Sequence, residues 1–216
     1  MSGNETEKRA AARAAAALVR DGQLVGLGSG STVAHLFPAL AERNLRIRCV
    51  AASPASERAA RAAGLEVGPF EDLDRLDVAI DGADQITRDG WLIKGGGAAH
   101  TREKIVAAAA ESFIVIGGAE KLVGALTAPV PVELLEFGLA ATLAAIAPIS
   151  LRDVPRSPDG GIIADYHGPL DDPARLAASL SATPGVVDHG IFTPDLTSVV
   201  IIAQGEETFS FEIPRG

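Results

Sequence analysis

The stretch from Val78 to Lys104 concentrates side chains that can move a proton beside a developing negative charge. A carboxylate can act as a base, an ammonium can stabilise an oxyanion, and bare glycine amides can approach a bound anion. We therefore predict a site for acid–base chemistry in this stretch. Its candidate residues are three carboxylates, one lysine and three consecutive glycines, namely Asp81, Asp84, Glu103, Lys94, Gly95, Gly96 and Gly97.

Each of these residues alone has an ordinary structural explanation. Asp81 and Gly82 form an Asp-Gly pair, which is first of all a turn signal. A lone Lys94 is usually a solvated surface cation, and a glycine run can be a flexible loop. Glu103 would also suit the positive end of a helix dipole. The combination of all of them in one short stretch favours the functional interpretation.

Strand ends explain how such residues would come together. Leu76 to Ile80 is a short apolar run that predicts a strand, so Asp81 falls just past its carboxyl end, where ligands dock on open α/β sheets. A second predicted strand, Leu24 to Leu27, leads into a turn of glycine and hydroxyl residues at 28–32 and then a helix. Such a turn can hold an anion with its amides and hydroxyls. It lacks the third glycine of the dinucleotide fingerprint, and no Walker lysine follows it.

Composition describes a globular protein of one large or two small domains. The chain has 216 residues and a formal net charge of -9, which argues against broad binding to nucleic acid or to an anionic membrane. Its single cysteine, Cys49, excludes an intrachain disulfide and fits a reducing compartment. Residues 1–10 have no signal-peptide pattern, and Phe137 to Ile149 is too short to span a bilayer. We expect a soluble cytoplasmic protein without nucleic-acid or membrane partners.

Alternating strand and helix patterns predict a parallel sheet for the first part of the chain. Pro38 is expected to bend or shorten the helix that follows Thr32, because proline removes a backbone hydrogen bond. The other predicted helices are Glu5 to Arg20, one that begins at Ser53-Pro54 and closes at Gly64, and Thr101 to Glu111, and the further strands are Ile47 to Ala51, Leu65 to Val67 and Phe113 to Ile116.

The pattern changes from Pro129 onward. Strand candidates there are Ile149 to Val154, Gly161 to Asp165, Val186 to Phe192 and Ser198 to Ala203, with a helix from Asp172 to Ser181. The segment Thr208 to Ile213 could return to the first domain. We therefore expect an α/β domain of residues 1–128 with 205–216, and a smaller α+β domain of residues 129–204.

Four motifs in a fixed order resemble one known family. DGAD, KGGGAA and TREK, preceded by GLGSGST, are similar to ribose-5-phosphate isomerase of the A type. The resemblance extends over essentially all 216 residues and is strongest for Asp21 to Thr32 and Val78 to Lys104. It implies a Rossmann-like parallel sheet domain and a smaller ferredoxin-like α+β domain, whose sheet supports the contacts of a homodimer. No cofactor or metal is expected, since Lys94 can supply the positive charge and the four histidines show no ligand spacing.

The resemblance also implies an activity, the interconversion of D-ribose 5-phosphate and D-ribulose 5-phosphate through an enediolate in the non-oxidative pentose phosphate pathway. It makes Glu103 the base that moves a proton between C2 and C1, and Lys94 the cation beside the enediolate oxygen. Asp81 would assist ring opening and proton traffic at oxygen, and Asp84 would position hydroxyls or Lys94. The residues implied to bind the sugar phosphate are Ser29, Gly30, Ser31, Thr32, Gly82, Ala83, Gly95, Gly96, Gly97 and Lys121.

This sequence departs from the family pattern at three positions near the expected site. Gly118 stands where an acidic residue is usual, Glu120 where serine is usual, and Gln85 where glutamate is usual. The first two change the surroundings of Lys121. Lys8, near the start of the first helix, stands where the family often has a lysine that can approach the substrate phosphate.

Two other functions are compatible with a chain of this architecture. A sugar-phosphate-responsive effector domain would bind the ligand without turning it over, but it would normally adjoin a DNA-binding helix-turn-helix, for which there is no room before Glu5. A coenzyme A transferase would use a glutamate nucleophile, but DGAD with KGGG is better explained by isomerisation. A colour assay for ketose formed from ribose 5-phosphate separates the effector domain from the enzyme.

Overall fold

The computed structural model describes residues 3–71 and 73–214 of the chain. Its helices are α1 (Gly3–Leu18), α2 (Ser31–Ala34), α3 (Leu36–Ala41), α4 (Pro54–Ala62), α5 (His100–Ala108), α6 (Leu139–Ala145) and α7 (Pro173–Ser181). Its strands are β1 (Leu24–Leu27), β2 (Arg48–Ala51), β3 (Leu76–Gly82), β4 (Gln85–Ile86), β5 (Leu92–Ile93), β6 (Ala110–Gly118), β7 (Val130–Leu134), β8 (Ile149–Leu151), β9 (Ile162–Tyr166), β10 (Val186–His189), β11 (Ile191–Phe192), β12 (Val199–Gln204) and β13 (Glu207–Glu212).

Six strands form one sheet in the order β13-β12-β6-β3-β1-β2. All neighbours are parallel except β12 and β13, which pair antiparallel. Apolar residues of α1 and α3 pack against one face, with Val78 and Ile80 of β3, and α5 packs against the other face, with Leu76 and Ala79. A mostly parallel sheet covered by helices on both faces confirms the predicted Rossmann-like α/β domain.

A second sheet has four antiparallel strands in the order β10-β7-β9-β8. The chain runs through it as β7-α6-β8-β9-α7-β10. This element order and this strand order are those of the ferredoxin-like fold. Leu143 and Leu180, from the two helices, pack against Val132 and Ala164 of the sheet. The predicted smaller α+β domain is therefore confirmed in its fold.

One strand lies in a different sheet from the one expected. We placed Ser198 to Ala203 in the smaller domain, but β12 lies inside the six-stranded sheet between β6 and β13. Its residues Val200 to Ala203 are all buried, which suits a strand covered on both faces. An apolar run predicts a strand but does not show which strands it pairs with. The parallel partner of β12 is β6, which is far away in sequence. The division of the chain into two domains at residues 129 and 204 otherwise stays a prediction.

Several predicted boundaries also move. The helix expected up to Glu111 ends at Ala108, and β6 begins at Ala110. The expected strand at 65–67 makes a single parallel bridge between Val67 and Cys49. The expected strand at 186–192 divides at Gly190, with β10 in the four-stranded sheet and β11 paired with β5. The helix after the glycine turn breaks at His35, so that Pro38 falls in the first turn of α3, where its missing N–H costs little.

Two helix starts agree with the caps that the sequence contains. The Ser53 side chain accepts a hydrogen bond from the Ser56 amide at the start of α4, and Pro54 follows at the first helical position. The Asp172 side chain caps α7 in the same way.

Among the described residues, no helix is long and apolar enough to cross a membrane.

Candidate active site

The carboxyl ends of β1 and β3 form the floor of the candidate site. Gly28 follows β1, and Asp81 lies near the end of β3, beside it in the sheet. A Cβ atom on Gly28 would lie 1.9 Å from Cγ of Asp81, so only glycine lets this backbone pass so close to the carboxylate. Oδ1 of Asp81 accepts hydrogen bonds from the amides of Ser29 at 3.0 Å and Gly82 at 2.7 Å. The strand ends therefore hold this carboxylate from two sides.

Lys94 connects two carboxylates that are far apart in sequence. Its Nζ atom lies 2.9 Å from Oδ2 of Asp81 and 3.2 Å from Oε2 of Glu103, and it also donates a short hydrogen bond to the carbonyl of Gly82. The side chains are 3% exposed for Lys94, 4% for Asp81 and 5% for Glu103. Neither carboxylate oxygen that faces Lys94 receives a well-directed hydrogen bond from a described residue. Both oxygens are therefore compensated mainly by the charge of Lys94.

Burial dominates the titration of this cluster. It raises the pKa of Glu103 to about 7, against the opposing ammonium of Lys94 and with a contribution from the charge of Asp81. Burial also raises the pKa of Asp81, although Lys94 and two backbone amides favour its charged form. For Lys94, burial disfavours the ammonium, but the carboxylates of Asp81 and Glu103 outweigh it and raise the pKa of the lysine. The cluster thus combines a permanent cation with a carboxylate that titrates near neutrality.

The glycine loop, Gly95 to Gly97, forms another part of the cavity wall. Gly95 has a φ of 103°, a conformation that other residues rarely adopt. The amide of Gly96 donates to Oδ2 of Asp84 at 2.8 Å, and the amide of Asp84 donates to the carbonyl of Ile93. Asp84 is exposed and belongs to the loop wall, whereas Asp81 belongs to the buried cluster.

A cavity of about 180 Å³ lies between these parts. Lys121 and Lys8, which pairs with Glu5 at 2.8 Å, bring ammonium groups to it. The turn of residues 29–32 brings hydroxyls and amides, and this combination suits a phosphate group. Asp81 is not among the residues that line the cavity, because it lies behind Lys94 and the backbone of Ser29. The other predicted site residues all line it, namely Ser29, Gly30, Ser31, Thr32, Gly82, Ala83, Asp84, Lys94, Gly95, Gly96, Gly97, Glu103 and Lys121.

The departures from the family pattern have local explanations. The Gln85 side chain donates to the carbonyl of Thr127 at 2.9 Å and accepts from the amide of Thr127 at 2.8 Å. An ionised glutamate at this position could accept the second hydrogen bond but could not donate the first. A Cβ atom on Gly118 would lie 2.2 Å from Oε2 of Glu120. The carboxylate of Glu120 therefore occupies the space that a side chain at position 118 would need.

Contacts from the smaller domain support the site, and sequence reasoning missed them. Thr101, in the first turn of α5, donates a short hydrogen bond to the buried Glu133 on β7, and Ser157 donates another to the same carboxylate. Arg152 donates to the carbonyls of Gly95 and Gly96. These residues stand in ordinary strand and loop sequences, so no local pattern could have identified them.

Two histidines behind the glycine loop add no charge at neutral pH. Burial lowers the pKa of His100 to about 4 and that of His189 to about 3. Nearby, Lys104 donates to Asp188 at 2.6 Å. Among the described residues, no group of three or more histidine, cysteine or acidic side chains is arranged to hold a metal ion.

Comparison with known proteins gives concordant results. The family model for ribose 5-phosphate isomerase A (phosphoriboisomerase A) matches residues 48–207. A ribose-5-phosphate isomerase A from Methanosarcina acetivorans is 44% identical over 206 residues, which cover 88% of each chain. The crystal structure of ribose 5 phosphate isomerase A from Neisseria gonorrhoeae superposes with a TM-score of 0.91 at 32% identity and 96% coverage of both chains.

A solved D-ribose-5-phosphate isomerase in complex with phospho-erythronic acid also superposes with a TM-score of 0.91, at 32% identity, over 97% of this chain and 99% of that one. A second family model, for the DeoR C terminal sensor domain, matches residues 3–63. This match ends before Asp81, Lys94 and Glu103, so it does not include the buried cluster.

The fold is that of an α/β enzyme, and its strand ends hold a buried cluster of two carboxylates around one ammonium. The extent of the family-model match and the identity to relatives make the assignment specific. The chain belongs to the ribose 5-phosphate isomerase A family.

Proposed function

We propose that this protein interconverts D-ribose 5-phosphate and D-ribulose 5-phosphate, the non-oxidative step between these two pentose phosphates. The observation that carries the proposal is the position of Lys94, buried between Asp81 and Glu103 at the wall of a small polar cavity. Membership of the ribose 5-phosphate isomerase A family supports the same substrate pair. In this proposal the sugar lies over Glu103, with its phosphate toward Lys8, Lys121 and the turn at 29–32.

The reaction moves one proton between neighbouring carbons. Glu103 removes the proton from C2 of the open-chain aldose, the electron pair forms a C1–C2 double bond, and negative charge collects on the C1 oxygen beside Lys94. A proton then passes from the C2 oxygen to the C1 oxygen. Glu103 returns its proton to C1, which leaves a ketone at C2. Each atom is conserved, and the fixed ammonium stabilises the enediolate without reorganisation.

The pKa of Glu103 suits this role. A base with a pKa of about 7 is substantially ionised at neutral pH and still holds a proton well enough to return it. Asp81 keeps Lys94 in place from behind. Because Asp81 does not line the cavity, its part in proton traffic at oxygen during ring opening would pass through Lys94. Asp84, which is exposed on the cavity wall, positions the sugar hydroxyls.

The proposal needs no metal or cofactor, because Lys94 already supplies the positive charge that a divalent ion would bring. We expect that dialysis against a chelator leaves the isomerase rate unchanged. A rate that disappears with the chelator and returns with a divalent ion would contradict this part of the mechanism.

The substitution Glu103→Gln tests the proposed base. We expect turnover to fall by at least ~10²-fold, which is typical for a positioned general base. The fold should be retained, because glutamine has nearly the same shape. The measurement is ketose formed from ribose 5-phosphate, with far-ultraviolet circular dichroism as a check on the fold. Glu111→Gln, in the same part of the chain but outside the cavity, serves as the matched control, and near-normal activity in the Glu103 variant would defeat the assignment.

A non-catalytic sensor of sugar phosphates is the second candidate, and the observation behind it is the match of residues 3–63 to the DeoR C terminal sensor domain. It would bind ribose 5-phosphate and form no ketose. A wild-type protein that binds this ligand in calorimetry and gives no colour in the ketose assay would favour the sensor. The buried Glu103 and Lys94 support the enzyme, because binding alone does not require a base of raised pKa.

We also propose that the protein is a homodimer whose contacts involve the smaller domain. Leu135, Phe137 and Leu151 are exposed there by 52%, 93% and 52%, and exposed apolar side chains often mark association surfaces. Light scattering should give twice the chain mass of 22.1 kDa. The substitution Phe137→Asp should shift the mass toward that of one chain, and a wild-type protein that is monomeric at micromolar concentration would contradict the proposal.

We propose the cytoplasm as the location, on the basis of the single thiol. Cys49 is buried, and burial raises its pKa to about 12, so it is an unreactive core residue that fits a reducing compartment. Cell fractionation with an antibody against the protein is the direct measurement.

A further inference from the structure

Arg152 is a residue of the smaller domain that reaches the wall of the cavity. It follows β8, and its Nη1 atom lies 2.9 Å from the carbonyl oxygen of Gly95 and 3.3 Å from that of Gly96. Both glycines line the cavity. One guanidinium therefore contacts two successive carbonyls of the glycine loop. The carbonyl of Gly95 also accepts from the amide of Ala98 at 3.0 Å.

Asp165 fixes the guanidinium in this position. Nε of Arg152 donates to Oδ2 of Asp165 at 2.9 Å, and Nη2 donates a short hydrogen bond to Oδ1. Two parallel hydrogen bonds to one carboxylate lock the plane of an arginine, which lysine cannot reproduce. The two side chains are 18% and 17% exposed, so solvent screens the pair only weakly. The third edge of the guanidinium is thereby aimed at the glycine loop.

The direction of the carbonyls determines the direction of the loop amides. The peptide bonds of the loop are trans, and in a trans peptide the C=O and the N–H point to opposite sides. With the carbonyl of Gly95 toward Arg152, the amide of Gly96 faces away from it and donates to Asp84 on the cavity wall. By the same geometry, the carbonyl of Gly96 directs the amide of Gly97 to the cavity side.

We propose that Arg152 is a positioning residue for substrate binding: through the carbonyls of Gly95 and Gly96 it orients the loop amides and Asp84 toward the oxygen atoms of the sugar phosphate. The smaller domain thus contributes to affinity without touching the substrate. The inference rests on the proposed isomerase function. It differs from a purely structural role in predicting a selective loss of substrate affinity, because a purely structural role would lower stability without a specific effect on KM.

Kinetics of Arg152 variants test the proposal. In Arg152→Met we expect KM for ribose 5-phosphate to rise by about 10-fold or more, the scale of a lost hydrogen bond to a charged group, with a smaller change in kcat. Arg152→Lys keeps the positive charge but loses the planar guanidinium that contacts Asp165 and the loop together. Its affinity should therefore lie between those of the wild type and Arg152→Met. The matched control is Arg156→Met in the same segment, whose side chain pairs with Glu136 and not with the loop. Its KM should equal that of the wild type.

Two further measurements separate positioning from general damage. In Arg152→Ala, free guanidinium at tens of millimolar should lower KM toward the wild-type value and leave the Arg156→Ala control unchanged. Binding of phospho-erythronic acid, followed by calorimetry, should weaken in parallel with KM. If the Arg152 variants do not fold, Asp165→Asn is the test instead. It weakens the two hydrogen bonds that fix the guanidinium and leaves Arg152 in the protein, so KM should rise.

The outcomes are distinguishable. A wild-type protein without ketose formation contradicts the proposed function itself. An active wild type with an unchanged KM in Arg152→Met, or in Asp165→Asn where that variant is used, overturns the inference about Arg152. A fall in kcat alone, with KM and binding of phospho-erythronic acid unchanged, also overturns it.

Discussion

A single ammonium between two buried carboxylates leaves an excess negative charge in a place with little solvent. Lys94 can neutralise one of its partners, Asp81 or Glu103, but not both. The second carboxylate must then either hold a proton or remain charged at the cost of desolvation. Burial, with a smaller contribution from the charge of Asp81, raises the pKa of Glu103 to about 7. In the proposed mechanism, the raised pKa that suits Glu103 as a base is therefore opposed to stability.

The opposition predicts how the stability of a Glu103 variant depends on pH. The pKa of Glu103 is about 7 in the folded state, whereas an ordinary glutamate has a pKa of 4.5, so the folded protein binds more protons than the unfolded chain between these pH values. The wild-type free energy of unfolding should therefore lose a contribution as pH rises from 4.5 to 7. Glutamine does not titrate, so Glu103→Gln should gain on the order of 1–3 kcal/mol relative to the wild type across this range.

Urea unfolding of both proteins at about pH 5 and about pH 8, on either side of the raised pKa, measures this difference. Relative to the wild type, Glu103→Gln should be more stable at the higher pH than at the lower one. An unchanged difference between the two proteins at these pH values would show that Glu103 is not desolvated in the folded state.

At the scale of elements, the site depends on a close approach between two neighbouring strand ends. The turn after β1 passes directly over the Asp81 carboxylate at the end of β3, and this contact requires the absence of a side chain at Gly28. The amides of Ser29 and Gly82 then hold Asp81, and Asp81 holds Lys94. The turn after β1 therefore helps to position the ammonium of Lys94 through Asp81, although Lys94 itself follows β5.

Gly28→Ala tests this dependence. The added methyl group should displace Asp81 and with it Lys94, and we expect kcat to fall by about 10²-fold, the effect of a misplacement of about 1 Å. Overpacking should also cost about 1–3 kcal/mol of stability. The control is Gly68→Ala, where an added Cβ meets nothing within 4 Å. Wild-type turnover in the Gly28 variant would show that the turn tolerates a side chain and that the close approach is not required.

At the scale of the whole molecule, the six-stranded and the four-stranded sheet are joined by the path of the chain and by side-chain contacts. The chain leaves the large sheet after β6, forms the smaller domain and returns as β12 at an interior position of the large sheet. Side chains of α5 reach the smaller domain through the pairs Arg102–Asp159 and Lys104–Asp188. The two sheets therefore share contacts that neither would make alone.

This connection predicts that the two domains unfold together. Trp91 packs in a cluster with Val130 and Ala177 of the smaller domain, so its fluorescence reports the junction, whereas far-ultraviolet circular dichroism reports all the helices and strands. The two urea transitions should coincide, as they do for a cooperative unit. Loss of the Trp91 signal at a clearly lower urea concentration than the circular dichroism would show that the domains unfold separately.

The sequence by itself determined which residues can carry the chemistry. Asp81, Asp84, Lys94 and Glu103 lie within one short stretch, and strand and glycine patterns place their backbone at the end of a sheet. These patterns depend on neighbours along the chain, so they can be interpreted without a structure. The same holds for the helix starts at Ser53 and Asp172, which local hydrogen bonds decide.

Only the tertiary structure decided how deeply these residues are buried and what holds them. The burial that raises the pKa of Glu103 is a property of the folded chain, and the supports from Glu133 and Arg152 come from another domain. The placement of β12 inside the large sheet has the same cause. Hydrogen bonding between distant strands and packing between domains depend on non-local contacts, which leave no periodic pattern in the segments that make them.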